Sequence, residues 1–329
     1  SLDENTLHIK VAPQKAMTMN SQNVLAKLRA NPDVVYAQPN YRLKLIENYQ
    51  SQDPKVIQMA KDAMAGKFIP ELAGPALNDI LTMTLGATPK PAIPSGYAQQ
   101  TLGRDPLVNS QWGMANIHAV EAWSLMEQPS YSANASKPVV VAVIDTGVDY
   151  THEDLLPNMW RNPKEIADNN IDDDGNGYVD DIVGWDFANN DNRPFDVTLS
   201  ALEIVTGGGN PGHGTHCAGN VGARGNNSTG ISGVAPNVQI MALRFLTEQG
   251  SGTTADAIKA IKYGVDNGAR VLSNSWGSEG EDAGEDNQAL RDMIKYAEDH
   301  DVLFVAAAGN GHQGVGYNND TDPKPGYPA

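Results

Sequence analysis

Residues 138–147 read PVVVAVIDTG, six apolar residues in a row from Val139 to Ile144 that stop at an aspartate, a threonine and a glycine. A strand with one wet face alternates apolar and polar side chains. An unbroken apolar run of this length needs cover on both faces, as in a parallel sheet wrapped by helices. Residues 240–246, 271–276 and 302–308 have the same character, and helix-length segments at 253–267 and 286–300 separate the last three runs. Thr253 or Thr254 can cap the first of these helices; Ala257, Ile258, Ile261 and Val265 fall on one face and Gly268 stops it. The alternation predicts an α/β fold from residue 105 onward: a doubly wound, mostly parallel sheet flanked by helices.

Open sheets of this kind bind ligands beyond the carboxyl ends of their strands. That edge is where polar residues collect: Asp145 and Thr146 after the first run, Asn274 and Ser275 in the third, Gly309 and Asn310 after the last. A carboxylate that follows six buried positions is costly unless paired or hydrogen-bonded. Residues 210–219, NPGHGTHCAG, place His213 between two glycines at the start of a small-residue helix expected over 215–223. A helix N-terminus disfavours imidazolium and so favours a ring able to accept a proton. Asp145 as orienting acid and His213 as general base make two members of a Ser-His-Asp triad, and the Asn310 amide could face an oxyanion. Taken singly, each also reads as ordinary turn or helix-start chemistry.

Composition narrows the field. Lys and Arg number 23 against 40 Asp and Glu, a net charge of -17 that repels nucleic acid and anionic membranes and suits cation binding. The apolar runs are too short to span a bilayer. One cysteine, Cys217, excludes an internal disulfide and reads as a small buried hydrophobe. A zinc enzyme built on His213 and His216 would need further ligands in an H-E-x-x-H-like arrangement, which the sequence lacks.

VAVIDTGVDYTHEDL (141–155), GHGTHCAGNVGA (212–223), GVAPNVQIMALRFL (233–246), SNSWG (273–277) and FVAAAGN (304–310) resemble the subtilisin-like serine peptidases, in that family's order. The resemblance covers roughly residues 105–329. It implies peptide-bond hydrolysis with Asp145 as orienting acid, His213 as base and Asn310 as oxyanion donor, and it makes His216 a helix residue rather than a ligand. It further implies that Gly250, Ser251 and Gly252 on one side, and Ser275, Trp276 and Gly277 on the other, flank an extended peptide substrate as neighbouring strands do, with Trp276 walling a side-chain pocket. The family's nucleophile lies in a G-T-S-M-A type stretch, and neither that nor a G-x-S-x-G occurs in residues 1–329. The serine is therefore expected beyond residue 329, on following sequence or on a separate C-terminal fragment, and the chain alone is expected to be inactive. A non-catalytic peptide-binding relative is the alternative. Secretion, extracellular or periplasmic, follows from the resemblance only.

Between acid and base, residues 168–191 read DNNIDDDGNGYVDDIVGWDFANND. Asp172, Asp174 and Asn176 alternate before Gly177 and a Tyr178 carbonyl, matching the first positions of an EF-hand-type calcium loop; Val183 replaces the closing Glu, so Asp180 or Asp181 is expected to complete the shell. A second calcium site follows from the resemblance: Asn227, the backbone oxygens of Gly225, Thr229 and Ile231, Asp154, and Asp105. The first 47 residues predict a small α+β unit, strand-like at 7–12, helical at 23–31 and strand-like at 34–45. Residues 31–45 resemble the end of a subtilisin-type propeptide, which implies an intramolecular inhibitor. Residues 48–104 read as a connector with one helix at 54–65 and many Pro and Gly, autoprocessed within 89–104.

Overall fold

The computed structural model describes residues 21–45, 105–126, 138–196, 212–278, 287–309, 321 and 326–328. The strand expected at 7–12, the helix at 54–65, the processing region and Asn310 lie outside them. Near the N-terminus come helix α1 (Ser21–Arg29) and strand β1 (Arg42–Leu45), then the short helices α2 (Trp112–Asn116) and α3 (Ala119–Met126). The main domain follows: β2 (Val140–Asp145), β3 (Gly184–Asp186), α4 (His213–Gly222), β4 (Gln239–Arg244), β5 (Ser251–Thr253), α5 (Thr254–Asp266), β6 (Val271–Asn274), β7 (Trp276–Gly277), α6 (Gln288–Asp299) and β8 (Leu303–Ala306).

Five strands form one sheet in the order β3-β4-β2-β6-β8, each neighbour parallel. Burial explains why. Ala142, Ile144, Met241, Leu243 and Leu272 pack on one face against Ala257, Ile258 and Ile261 of α5 and Leu290, Met293 and Ala297 of α6. Val143, Ile240 and Ala242 pack on the other against Ala218 of α4 and against Leu155 and Met159. Each buried Leu or Ile contributes about 1.5–3 kcal/mol, against a spread of about 1 kcal/mol for strand propensity, so cover on both faces decides the sheet.

Helix α5 starts as expected, with Thr253 Oγ1 accepting the Asp256 N–H at 3.3 Å. Gly268 ends the turn at φ +85 and donates to Val265 O. Helix α4 begins two residues before the expected start, so that His213 is its first residue. The 34–45 run is a strand only from Arg42, because its partners β5 and β7 are three and two residues long. Among the described residues no helix is long and apolar enough to cross a membrane.

Candidate active site

The carboxyl ends of β2, β4 and β6 carry the site. Asp145 ends β2, in register with Arg244 at the end of β4. Only glycine fits at 214: a Cβ there would collide with Gly147 O and press on Asp145 Cβ, so α4 can pack directly onto the turn after β2. That approach sets His213 Nδ1 2.7 Å from Asp145 Oδ1, which also accepts the Thr146 N–H at 2.7 Å. Asp145 is buried and the His213 side chain 15% exposed, so the acid is shielded while the ring keeps an open side. Burial works against the charged ring, but the hydrogen bond to Asp145 and the Cys217 contact outweigh it and hold the imidazole up at about 10, the opposite of the neutral ring expected from the helix N-terminus alone.

Cys217 lies one turn along α4, Sγ 3.8 Å from His213 Nδ1 and 3.5 Å from Ser275 Oγ. It is half-buried, packed against the Val143 cluster. His216 is exposed beside Asn220 and takes no part in the Asp145, His213 and Cys217 grouping. Arg244 donates to Thr146 O at 3.1 Å, to Asp186, and to Glu248 at 3.2 Å, and so ties the turn after β2 to the segment leading into β5.

The two glycine-bearing edges meet a peptide strand, and that strand is the chain's own. β1 lies antiparallel between β5 and β7, with Leu43 opposite Gly252, Lys44 opposite Ser251 and Gly277, and Leu45 opposite Trp276. Gly252 is needed there because a Cβ would press on Phe245 O. Just upstream, Asn40 Oδ1 accepts the Ala255 N–H and Gln38 Oε1 the Ala289 N–H, both at 2.9 Å, filling donors left open in the first turns of α5 and α6. Trp276 is wholly covered with β1 in place; it donates its indole N–H to Ile144 O at 2.9 Å, meets Phe245 and Phe304 edge-on and shares a cluster with Leu43 of β1.

Around the 168–191 loop a carboxylate outside the expected set comes close to the alternating acids. Glu165, Asp172 and Asp174 each bring an oxygen within 4.8 Å of the others, and Gly177 makes the turn at φ +94. Asp181 does not close this group: it is fully buried, one oxygen taken by Asn162 Nδ2 and the other by Asn176 Nδ2 and Tyr263 OH. Asp180 is turned to the Asn169 and Asn170 N–H groups. Glu165, seven residues before Asp172, joins this group; its Oε1 accepts the Asp173 and Asp174 N–H groups and its Oε2 the Asp180 N–H, and no motif spacing marks it. Asn176 Oδ1 accepts the Tyr178 N–H, while the Tyr178 ring packs on Trp185, Phe187 and Tyr263. Hard oxygen donors converging in this way suit calcium.

The second expected calcium site fits less well. The 225–232 loop does gather Asp105, Asp154 and Asn227. Asp105, however, accepts the N–H groups of Asn226, Asn227 and Ser228 and the Ser232 hydroxyl, two donors on each oxygen, which leaves it no lone pair for a cation. Asp154 accepts from Asn227 Nδ2 and Ile231 N, and Asn227 Oδ1 from Thr229 N, each oxygen keeping one direction open. Asp105 acts as a clamp on the loop.

The sequence model of the subtilase family (Peptidase S8) matches residues 136–329. The chain belongs to the subtilase family. A thermophilic serine proteinase from Bacillus sp. (strain AK1) is 36% identical over 200 residues, 61% of this chain and 38% of that protein. Thermitase from Thermoactinomyces vulgaris is 35% identical over 207 residues, 63% of this chain and 57% of that protein. Fervidolysin from Fervidobacterium pennivorans is 28% identical over 330 residues, 98% of this chain and 35% of that protein. This subtilase chain therefore spans little more than half of thermitase and less of the other two. A crystal structure of fervidolysin, titled a keratinolytic enzyme related to subtilisin, gives a TM-score of 0.52 at 22% identity, covering 88% of this chain and 33% of that one; it shows the shared subtilisin-like α/β fold.

Proposed function

We propose that the protein carrying this chain is a serine endopeptidase that cleaves peptide bonds through an acyl-enzyme. The observation that carries this is the 2.7 Å contact between a buried Asp145 and His213 Nδ1 at the carboxyl edge of the sheet. With Nδ1 engaged by Asp145, Nε2 is the nitrogen left to take a proton from a serine hydroxyl and return it to the leaving amine. Asn310 supplies the oxyanion contact in this reading, and the serine comes from sequence outside residues 1–329. Beside a peptide, β5 and β7 act as flanking strands through Gly250, Ser251, Gly252, Ser275 and Gly277.

The same edges bind β1, and we infer that the N-terminal segment holds the enzyme as an inhibited precursor until the chain is cut within 89–104. What supports this is the pairing of β1 with both edges and the seating of Gln38 and Asn40 on α6 and α5. Calcium bound by Glu165, Asp172 and Asp174, with Asn176 and the Tyr178 carbonyl near, stabilises the acidic loop in this reading, and a secreted location fits such a protein. Asp145, His213 and a serine outside the chain make an active enzyme; a peptide-binding relative without that serine is the alternative.

An organophosphonate serine reagent applied to the full-length protein tests the reading. Labelling is expected on one serine, to be lost in His213→Ala. An unlabelled protein that binds peptide without cleaving it would support the alternative.

A further inference from the structure

We propose that Asp196 is a positioning residue that holds the Asp145–His213 pair in register. The proposal rests on the serine-peptidase reading and concerns a carboxylate which that reading leaves without a role. Asp196 is buried, 4% exposed. One oxygen accepts from Thr146 Oγ1 at 3.1 Å and from the Gly212 N–H at 3.2 Å; the other accepts the N–H and hydroxyl of Thr215 at 3.0 and 2.8 Å. The Thr146 hydroxyl in turn accepts the Gly214 N–H at 3.0 Å.

The consequence is geometric. Acid and base lie on different elements, β2 and α4, 68 residues apart, and one carboxylate is bonded both to the turn that follows β2 and to α4. On the α4 side it holds Gly212 and Thr215 directly and Gly214 through Thr146, so the backbone on both sides of His213 is fixed. On the β2 side it holds Thr146, whose N–H donates to the same Asp145 oxygen that faces His213. A negative charge also suits the start of α4. An asparagine does not reproduce this, because each Asp196 oxygen accepts a backbone N–H, from Gly212 or from Thr215, and an NH2 group would have to face one of them. Misplacing a reacting group by about 1 Å costs up to about 100-fold in rate, so a brace of this kind acts on turnover more than on binding.

The test uses the full-length enzyme, with active sites counted by an irreversible serine reagent so that misfolded protein does not enter the rate. Asp196→Asn and Thr146→Val are each expected to lower kcat per titrated site about 10-fold or more with KM within about twofold. The double variant is expected to be hardly worse than the poorer single, because both remove the same brace. Thr215→Val, which removes one donor, keeps the test open if Asp196→Asn does not fold. Unchanged kcat per site, with only the melting temperature lowered, overturns the proposal, as do effects that multiply in the double variant. Wild-type protein that neither cleaves nor is labelled overturns the serine-peptidase reading first, and this proposal with it.

Discussion

Replacing Leu43 with alanine should loosen β1 from its two neighbours without unfolding the domain. Leu43 is completely covered and belongs to the cluster of Phe245 and Trp276, while its backbone pairs with Gly252. Alanine keeps that backbone pairing and removes the side-chain contacts. Burial losses of this kind run from about 2 to 5 kcal/mol, and the low end applies where neighbours can relax. About 2 kcal/mol corresponds to about 30-fold in the equilibrium between docked and undocked β1. Hydrogen exchange followed by mass spectrometry reads this directly: amides of β1 and β5 should exchange about 30-fold faster, with β2 and β4 unchanged. If exchange in β1 does not move, Leu43 does not anchor the strand. If β2 and β4 accelerate equally, Leu43 stabilises the whole domain and the docking argument fails.

Three further outcomes are expected. His213 is held up at about 10 although burial opposes the charge, so its folded value exceeds the ordinary 6.5; the stability it brings is complete below about pH 6.5 and fades as pH rises through about 10. The melting-temperature difference between wild type and His213→Gln should therefore be large at pH 6 and shrink above pH 10, while kcat/KM, which needs the neutral ring, rises toward alkaline pH. Glu165→Gln should reduce the gain in melting temperature that added calcium gives over chelator, and an undiminished gain would remove Glu165 from the shell. Tyr263→Phe keeps the ring packing but deletes the 2.6 Å hydroxyl donor to buried Asp181, costing about 1.5–3 kcal/mol in urea unfolding. A loss under about 0.5 kcal/mol would show that Asn162 and Asn176 suffice for that carboxylate.

What could be read from the chain was whatever depends on local periodicity or on a short run. The six apolar residues before Asp145 announce a strand covered on both sides, and β2 is that strand at the centre of the sheet. The glycines around His213 mark the head of a helix in the sequence; that Gly214 is what lets this helix reach Asp145 shows only in the fold. Residues positioned by the folded path of a loop were hidden. Glu165 reaches Asp172 and Asp174 only because the 165–181 loop doubles back, and Asp196 meets Thr215 across 19 residues. The indole bond of Trp276 to Ile144 O was hidden for a related reason, since it joins residues 132 apart in the chain. The resemblance implied Asp105 as a calcium ligand; the four hydrogen bonds that saturate its carboxylate come from a loop more than 120 residues away.

Gln38 and Asn40 seat the N-terminal segment on two helix ends as neutral amides. A carboxylate in either place would draw strength from the helix dipole and surrender it to acid or to salt. An amide has no proton to gain and little charge to screen. At these two points the hold on the N-terminal segment is indifferent to the acidity and salt outside the molecule.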